Sequence, residues 1–504
     1  MATDLIPSLV SLRKNKDADT MINPANTLRL LAMPVLWMGT VQISFGGLSL
    51  FVFKDNVGAA FLEPAIVMIV TAVAILRVVL IKLKLDMVSY RDALMFATLT
   101  WVVTGILGGI PIMLVTNVSF TDGVFESISA LTTTGATVLT GLDDLPKSFL
   151  LYRQFLQWMG GLGVVIFVVA VLPILNVGGM RLLKAETPGP IKDDKLSPRI
   201  ANTAHYLWFV YVLLTILCAL AYYFGGMSLF DAIAHSFTTV STGGFSTHDA
   251  SMWYFESHLL LAISDIFMLL GAISFALHFR VLHSVTPALY WRDEETRVFI
   301  FLVAGLSLFL TYILFSHSRY ELSEATSFAL FHVVSFITST GYGAADLGSW
   351  PALTAFFLVF CSYLGGCAGS TAGGNKIIRD IITFKVIRKE IRQCLHPQAL
   401  LSLRYQGQAV DSRVRHAVMA FMSIAAGSSL IITLMLMATG LDFWSAFTAV
   451  VACINVLGPG FGVVGSNFQP VSDAGIWLLS GAMILGRLEY FTVLALFFPA
   501  FWRY

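Results

Sequence analysis

The chain alternates between long apolar blocks and short polar ones. Ten blocks are long enough to cross a bilayer, for which a helix needs about 20 mostly apolar residues. They are Leu30–Phe53, Pro64–Leu80, Ala93–Thr116, Gln154–Asn176, Ala204–Phe224, Leu259–Phe279, Val298–Phe315, Pro351–Asn375, Ala417–Thr439 and Ala474–Phe498. The first two follow one another closely. The other eight form four pairs, and each pair encloses a segment that is neither span nor ordinary polar loop.

Those four segments share a pattern. The first reads Thr132-Thr133-Thr134-Gly135-Ala136, and the second Val240-Ser241-Thr242-Gly243-Gly244. The third reads Thr338-Ser339-Thr340-Gly341-Tyr342, and the fourth, more diverged, Asn455-Val456-Leu457-Gly458-Pro459. Aligned on the first glycine, they are preceded by an acidic residue, Asp122, Asp231, Glu324 and Asp442, and then by a short uncharged run. A recurrence at this spacing is a structural repeat. The predicted architecture is an all-α integral membrane protein. Two extra helices (1–90) precede four helix–pore loop–helix repeats (91–200, 201–290, 291–400 and 401–504) around a central pore.

Composition agrees. Apolar residues make up 57% of the 504 and charged residues 12%, about half the charged share of a soluble domain. The net charge of +1 says little, because charge is segregated along the chain. The loops between pairs (82–91, 177–205, 280–297, 376–416) hold twenty Lys and Arg, and the glycine-bearing loops hold two, Lys147 and Arg319. Basic loops stay cytoplasmic, so the glycine loops are expected on the outer side and both termini in the cytoplasm. No cleaved leader is evident at the N-terminus. The basic run 376–416 is suited to anionic lipid headgroups or to a cytoplasmic partner. The five cysteines show no metal spacing and read as small apolar side chains.

Irregular backbone at membrane depth must be buried in protein or line water. Each run before a glycine, such as Val124–Leu131 or Ala325–Ile337, reads as a half-helix entering the membrane with its negative C-terminal end inward. Four such ends around one axis favour a cation. The residues that follow can offer carbonyl oxygens in place of its hydration shell, and glycine supplies the positive φ this requires. The candidate filter is therefore Thr133, Thr134, Gly135, Ser241, Thr242, Gly243, Ser339, Thr340, Gly341, Asn455, Leu457 and Gly458. Taken singly, any of these glycines could equally be a helix C-cap or a packing residue.

At these residues the chain resembles the superfamily of bacterial, fungal and plant potassium transporters built from four such repeats, and most closely its TrkH branch. The ten-residue stretch Gly365–Gly374 and Gly486-Arg487-Leu488-Glu489 carry the resemblance further, as do the two additional N-terminal helices, which KtrB relatives generally lack. The resemblance implies K+ as the transported ion, a bacterial inner-membrane location, a homodimer, and a cytoplasmic nucleotide-binding regulatory subunit of the TrkA type. A glycine in all four loops resembles the potassium-preferring members.

Five glycines in Gly365–Gly374 should break the helix that contains them, at up to about 1 kcal/mol each. Under the resemblance this stretch, with Gly365, Gly366, Gly369, Ser370, Thr371, Gly373 and Gly374, is an intramembrane gate below the filter. Close helix packing through small residues is the alternative. Arg487 is an intramembrane charge and hence a functional candidate, placed to oppose cations in the pore, with Asp265 or Glu489 as possible charge partners. No phosphate-binding loop is present, so nucleotide is expected on a partner and not on this chain, and nucleic acid is not expected. The histidines form no HExxH, and no nucleophile and base are paired as an intramembrane protease would need. The chain reads as a transporter and not an enzyme. A proton-coupled secondary cation transporter remains the alternative, with Asp265 as the only carboxylate found well inside a span.

Overall fold

In a computed structural model, the described residues are 24–82, 89–171, 200–317, 320–399 and 401–503. The expectations for the N-terminal segment, for Arg319, for the end of the span at Asn176 and for most of the basic loop 177–205 lie outside them.

A helical pair comes first: α1 (Pro24–Gly47, continued by a π-helical turn at Leu48–Phe53) and α2 (Gly58–Lys82). They pack closely because Gly39 lies against Ile69 and Ala65, and Gly46 against Leu62. The first repeat then runs through α3 (Tyr90–Thr116), the short α4 (Phe120–Leu131) and α5 (Lys147–Val171). The second has α6 (Ile200–Phe224), the short α7 (Leu229–Val240), α8 (His258–Ala272) and α9 (Phe275–Ser284). After a connecting turn, α10 (Ala288–Arg292), the third has α11 (Glu294–His317), the short α12 (Leu322–Ile337), α13 (Ala352–Leu364) and α14 (Ile377–Leu395). A two-stranded hairpin, β1 (Arg404–Tyr405) with β2 (Gln408–Ala409), precedes the fourth repeat. That repeat has α15 (Ser412–Ala438), the short α16 (Phe443–Ile454), α17 (Asp473–Arg487) and α18 (Phe491–Leu494).

Six helices or helical stretches are long and apolar enough to cross a membrane unbroken: Pro24–Phe53, Gly58–Val78, Arg91–Thr116, His205–Phe224, Glu294–His317 and Ser412–Ala438. The second long segment of every repeat is instead broken. In α5 the break is at Gly163 (φ 71°, ψ 178°). Between α8 and α9 the axis turns by 97°, and after α17 by 111°. In the third repeat, Gly365 (φ 74°, ψ −171°) opens a loop that lasts until α14. The sequence reading foresaw a break only in this last segment. Leu259–Phe279 and Ala474–Phe498 are not continuous helices, because a hydropathy window registers apolarity and not backbone direction.

The acidic residue ahead of each glycine loop has a local purpose. Ser119 accepts from the Asp122 amide, Ser228 from that of Asp231, and Asp442 is itself the N-cap, accepting from Ser445 at 3.1 Å. In the third repeat Glu324 sits in the first turn without a side-chain cap. A cap satisfies amides that the helix leaves open. Three of the short helices have 12 residues, about 18 Å at 1.5 Å each, roughly half of what a hydrocarbon core requires. From Gly123 to Leu131, and from Thr448 to Ile454, every residue is buried. These short helices are centred in protein, with the long helices around them.

Candidate functional site

All four short helices end in the same way. Their C-caps are Thr132, Ser241, Thr338 and Asn455, in the αR region. The next residues, Thr133, Thr242, Ser339 and Val456, turn left-handed with φ between 54° and 60°. One residue on, an amide reaches back five residues: Thr134 to Ser129, Gly243 to Thr238, Thr340 to Ser335 and Leu457 to Ala452, each at 2.8 Å. A positive-φ glycine follows in each: Gly135, Gly244, Gly341 and Gly458.

This register corrects one alignment. The sequence reading matched Gly243 to the other three glycines and Thr242 to Thr134 and Thr340. In the structure the equivalent glycine is Gly244, and Gly243 takes the place of Thr134, Thr340 and Leu457. Two adjacent glycines leave the choice open to sequence, whereas the left-handed turn at Thr242 and the five-residue hydrogen bond fix it. A hydroxyl at that place is thus present in two copies, not three. There Thr134 bonds Thr132 and Thr340 bonds Thr338 through their hydroxyls, each at 2.8 Å.

The four glycines close a ring. A Cβ on Gly135 would meet the carbonyl of Gly243, one on Gly244 that of Thr340, one on Gly341 that of Leu457, and one on Gly458 that of Thr134. The last would approach to 2.7 Å and the other three closer, all inside the 3.0 Å that real Cβ atoms keep. Repeats one to four therefore touch in cyclic order through bare backbone. Above this ring lies a cavity of ≈ 560 Å³ whose wall includes Gly135, Gly244, Gly341 and Gly458.

Each return strand is held by a side chain from its own short helix. Glu126 accepts from the Val138 amide (3.1 Å) and the Thr137 hydroxyl (2.9 Å). His235 bonds the Ser246 hydroxyl at 2.9 Å, His332 accepts from the Ala344 amide at 3.3 Å, and Thr448 from the Phe461 amide at 3.0 Å. Glu126 is also paired with the buried Arg153 at 2.5 Å. The Arg153 guanidinium lies 3.4 Å over the Phe245 ring and donates to the Ser246 carbonyl at 3.1 Å, joining repeats one and two. Gln157 bridges the second loop by donating to the Gly243 carbonyl (2.8 Å) and accepting from the Phe245 amide (3.1 Å). Sequence reasoning missed these braces because their side chains differ from repeat to repeat. The placement of Glu126, His235 and His332, each five residues before the end of its helix, is the signal that could have found them.

The stretch Gly365–Gly374 lies directly against the inner ends of the short helices. The Thr371 hydroxyl donates to the carbonyls of Val240 and Gly271, both at 3.0 Å. The amide of Gly374 bonds the Asn455 carbonyl at 3.1 Å, and that of Gly373 the Ser339 hydroxyl at 2.5 Å. Cys367 donates to Ala272 at 2.8 Å, and Gly369 accepts from Phe275 at 3.0 Å. Gly365 and Gly374 meet backbone to backbone, where neither has room for a side chain. Gly366 and Ser370 complete the stretch, with the Ser370 hydroxyl turned back onto Cys367.

Arg487 reaches this loop from the fourth repeat. Its guanidinium donates to the Thr371 carbonyl at 3.1 Å and to the Gly160 and Gly161 carbonyls at 2.7 and 2.9 Å. Glu489 pairs with Arg379 at 2.6 Å, and Arg379 also stacks over Phe421 at 3.8 Å. Asp265 is buried, and its Oδ1 has no hydrogen-bond partner among the described residues. The Gly160 and Gly161 oxygens that Arg487 reaches lie just ahead of the non-helical Gly163.

The family model for TrkH, a cation transport protein, matches residues 64–504. The Trk system potassium uptake protein TrkH of Vibrio parahaemolyticus is 47% identical over 418 residues, covering 82% of this chain and 86% of that protein. TrkH of Escherichia coli K12 is 44% identical over 472 residues, covering 93% and 97%. The crystal structure of the potassium transporter TrkH from Vibrio parahaemolyticus superposes with a TM-score of 0.85 at 40% identity, covering 96% of this chain and all of that one. With a family model over most of its length and relatives of this identity, the chain belongs to the TrkH family of cation transport proteins.

Proposed function

We propose that this protein takes up potassium through a channel-like pore whose filter is the ring of glycine loops. The ring of glycine-to-carbonyl contacts is the observation that carries the reading. Four short helices direct their negative C-terminal ends at one region, and the backbone there is too crowded for any side chain. Carbonyl oxygens are then the groups on offer to a dehydrated monovalent cation. The names of the relatives, potassium uptake proteins of the Trk system, support potassium as that cation, and transport as the activity in place of catalysis.

Below the ring, the loop Gly365–Gly374 acts as the gate and Arg487 as its latch. The loop uses its donors on carbonyls at the helix ends, where a partly hydrated cation would otherwise be stabilised. Arg487 adds a positive charge at the same level. We place the protein in the bacterial inner membrane, as a homodimer with its termini and basic loops in the cytoplasm. A nucleotide-binding subunit of the TrkA type would act on the gate from that side. The test is potassium flux from purified protein in liposomes, with and without a pH gradient. Flux that follows the potassium gradient alone is expected. The buried, unpartnered Asp265 oxygen favours one other reading, proton-coupled transport, and flux that requires a proton gradient would establish it instead.

A further inference from the structure

Three consecutive acids begin α11, and their side chains go to different places. Asp293 accepts from the Gln406 side chain at 2.7 Å, and Glu294 accepts from the Gln406 amide at 2.9 Å and pairs with Lys385. Lys385 also donates to the Arg404 carbonyl at 2.9 Å. Asp293 and Glu294 thus grip the hairpin β1–β2, whose turn at Gln406 and Gly407 is exposed. Glu295 turns the other way. It is buried, and its Oε1 accepts from the Ala368 amide in the intramembrane loop at 2.8 Å and from the Ile378 amide at 3.0 Å. Ile378 lies in the first turn of α14, where a carboxylate is also favoured by the helix dipole. One carboxylate oxygen therefore ties the loop to the helix that follows it, and the preceding residue ties the same turn to the hairpin.

We propose that Glu295 is the positioning residue that holds the intramembrane loop closed, and that the first turn of α11 couples it to the hairpin 404–409. A partner that displaces the hairpin pulls on Asp293 and Glu294 and so shifts Glu295 away from Ala368. The proposal rests on the reading of Gly365–Gly374 as the gate. The hydrogen-bonded route from hairpin to loop runs Gln406, Glu294, Glu295, Ala368.

The test measures rubidium tracer flux in proteoliposomes without any regulatory subunit. It also measures alkylation of Cys367, which is buried beside Ala368, with the other four cysteines replaced by serine. Glu295→Ala should raise flux about tenfold, the factor expected for losing hydrogen bonds to a charged acceptor, and should make Cys367 reactive. Glu295→Gln keeps an acceptor oxygen and should fall between Glu295→Ala and wild type in both readouts. Glu294→Ala should raise flux when Glu295 is present and add nothing to Glu295→Ala. Wild-type flux and an unreactive Cys367 in a monodisperse Glu295→Ala protein would overturn the proposal. If that variant does not fold, the same result for Glu295→Gln would overturn it. Deletion of Gly369–Gly373 separates the two levels. A flux increase on deletion but none for Glu295→Ala rejects the tether and leaves the gate, whereas no increase on deletion rejects the gate itself.

Discussion

Replacing Gly244 by alanine, beside a matched Gly243→Ala, tests the ring most sharply. Gly244 has φ +76°, a conformation that costs an L-residue roughly 1–2 kcal/mol. Its new Cβ would also meet the Thr340 carbonyl well inside 3.0 Å. Even at Gly458, the roomiest of the four, a gap of 2.7 Å must open to the 3.4 Å of ordinary contact. At Gly244 the carbonyl must move further still. Binding geometry of this kind tolerates only about 0.5 Å, and each 1.4 kcal/mol of lost discrimination is a factor of about ten. Gly244→Ala should therefore cut the preference for potassium over sodium by about tenfold or more. Gly243 lacks the positive φ, and its Cβ would meet the Gln157 amide at 2.5 Å, so its backbone is unstrained and only the Gln157 brace must shift. Gly243→Ala should lower the preference less than Gly244→Ala does. Gly135→Ala and Gly341→Ala should resemble Gly244→Ala, with Gly458→Ala milder. The assay is competition of rubidium tracer uptake by potassium and sodium in proteoliposomes, with size-exclusion chromatography to confirm folding. Equal damage from Gly243→Ala and Gly244→Ala would refute the register, and wild-type selectivity in all the variants would refute the pore.

The remaining predictions concern sidedness, the latch and an outer ion pair. A single cysteine at the exposed Ser402 should be shielded from an impermeant external thiol reagent, and one at the exposed Ser466 should react; the reverse would invert the topology. Arg487→Ala removes three carbonyl contacts and should raise flux several-fold without a regulator; unchanged or lower flux in folded protein would deny it a blocking role. His248, in the loop after α7, stacks on Tyr254 at 3.4 Å and pairs with Asp143 and Asp231. Burial alone would lower its pKa, but Asp231 and Asp143 outweigh that and raise it. A raised histidine stabilises the fold fully below the ordinary imidazole value of about 6.5, and that contribution fades as pH climbs through the raised folded value. Thermal unfolding should show this loss in wild type and not in His248→Ala, and identical pH profiles would count against the pair.

The long apolar segments and the break in Pro351–Asn375 were legible in the sequence, because each depends on runs of apolar residues or on clustered glycine. The acid ahead of each loop was legible as a marker but not as a cap, since capping is a matter of one hydroxyl's reach. What escaped had no composition to mark it. Gly163 is one glycine in a Gly-Gly-Leu-Gly run, and whether such a run bends or merely packs depends on what presses against it. The register at Gly243-Gly244 was ambiguous for the same reason. The carbonyl contacts of Arg487 were missed because charge suggests an acid, whereas backbone oxygens beside a break at Gly163 are invisible to any motif. The pairing of Glu126 with Arg153 spans 27 positions and appears only once the return strand is in place.

On the proposed reading, the loop at Gly365–Gly374 and the latch at Arg487 each occur once, in different quarters of a nearly fourfold arrangement. Four identical subunits could not do this. They would bring four loops to an axis with room for one, and four guanidinium groups to a site where mutual repulsion would force them apart. Joining the quarters in one polypeptide frees each to specialise while the others keep the ring intact. The fourth quarter has Leu457 where the first and third have Thr134 and Thr340, and it carries the arginine, while the third lengthens the break found in every second segment into the proposed stopper. Covalent joining thus permits a division of labour that symmetric assembly forbids, and on the proposed reading it makes the order of the quarters along the chain part of how the pore closes.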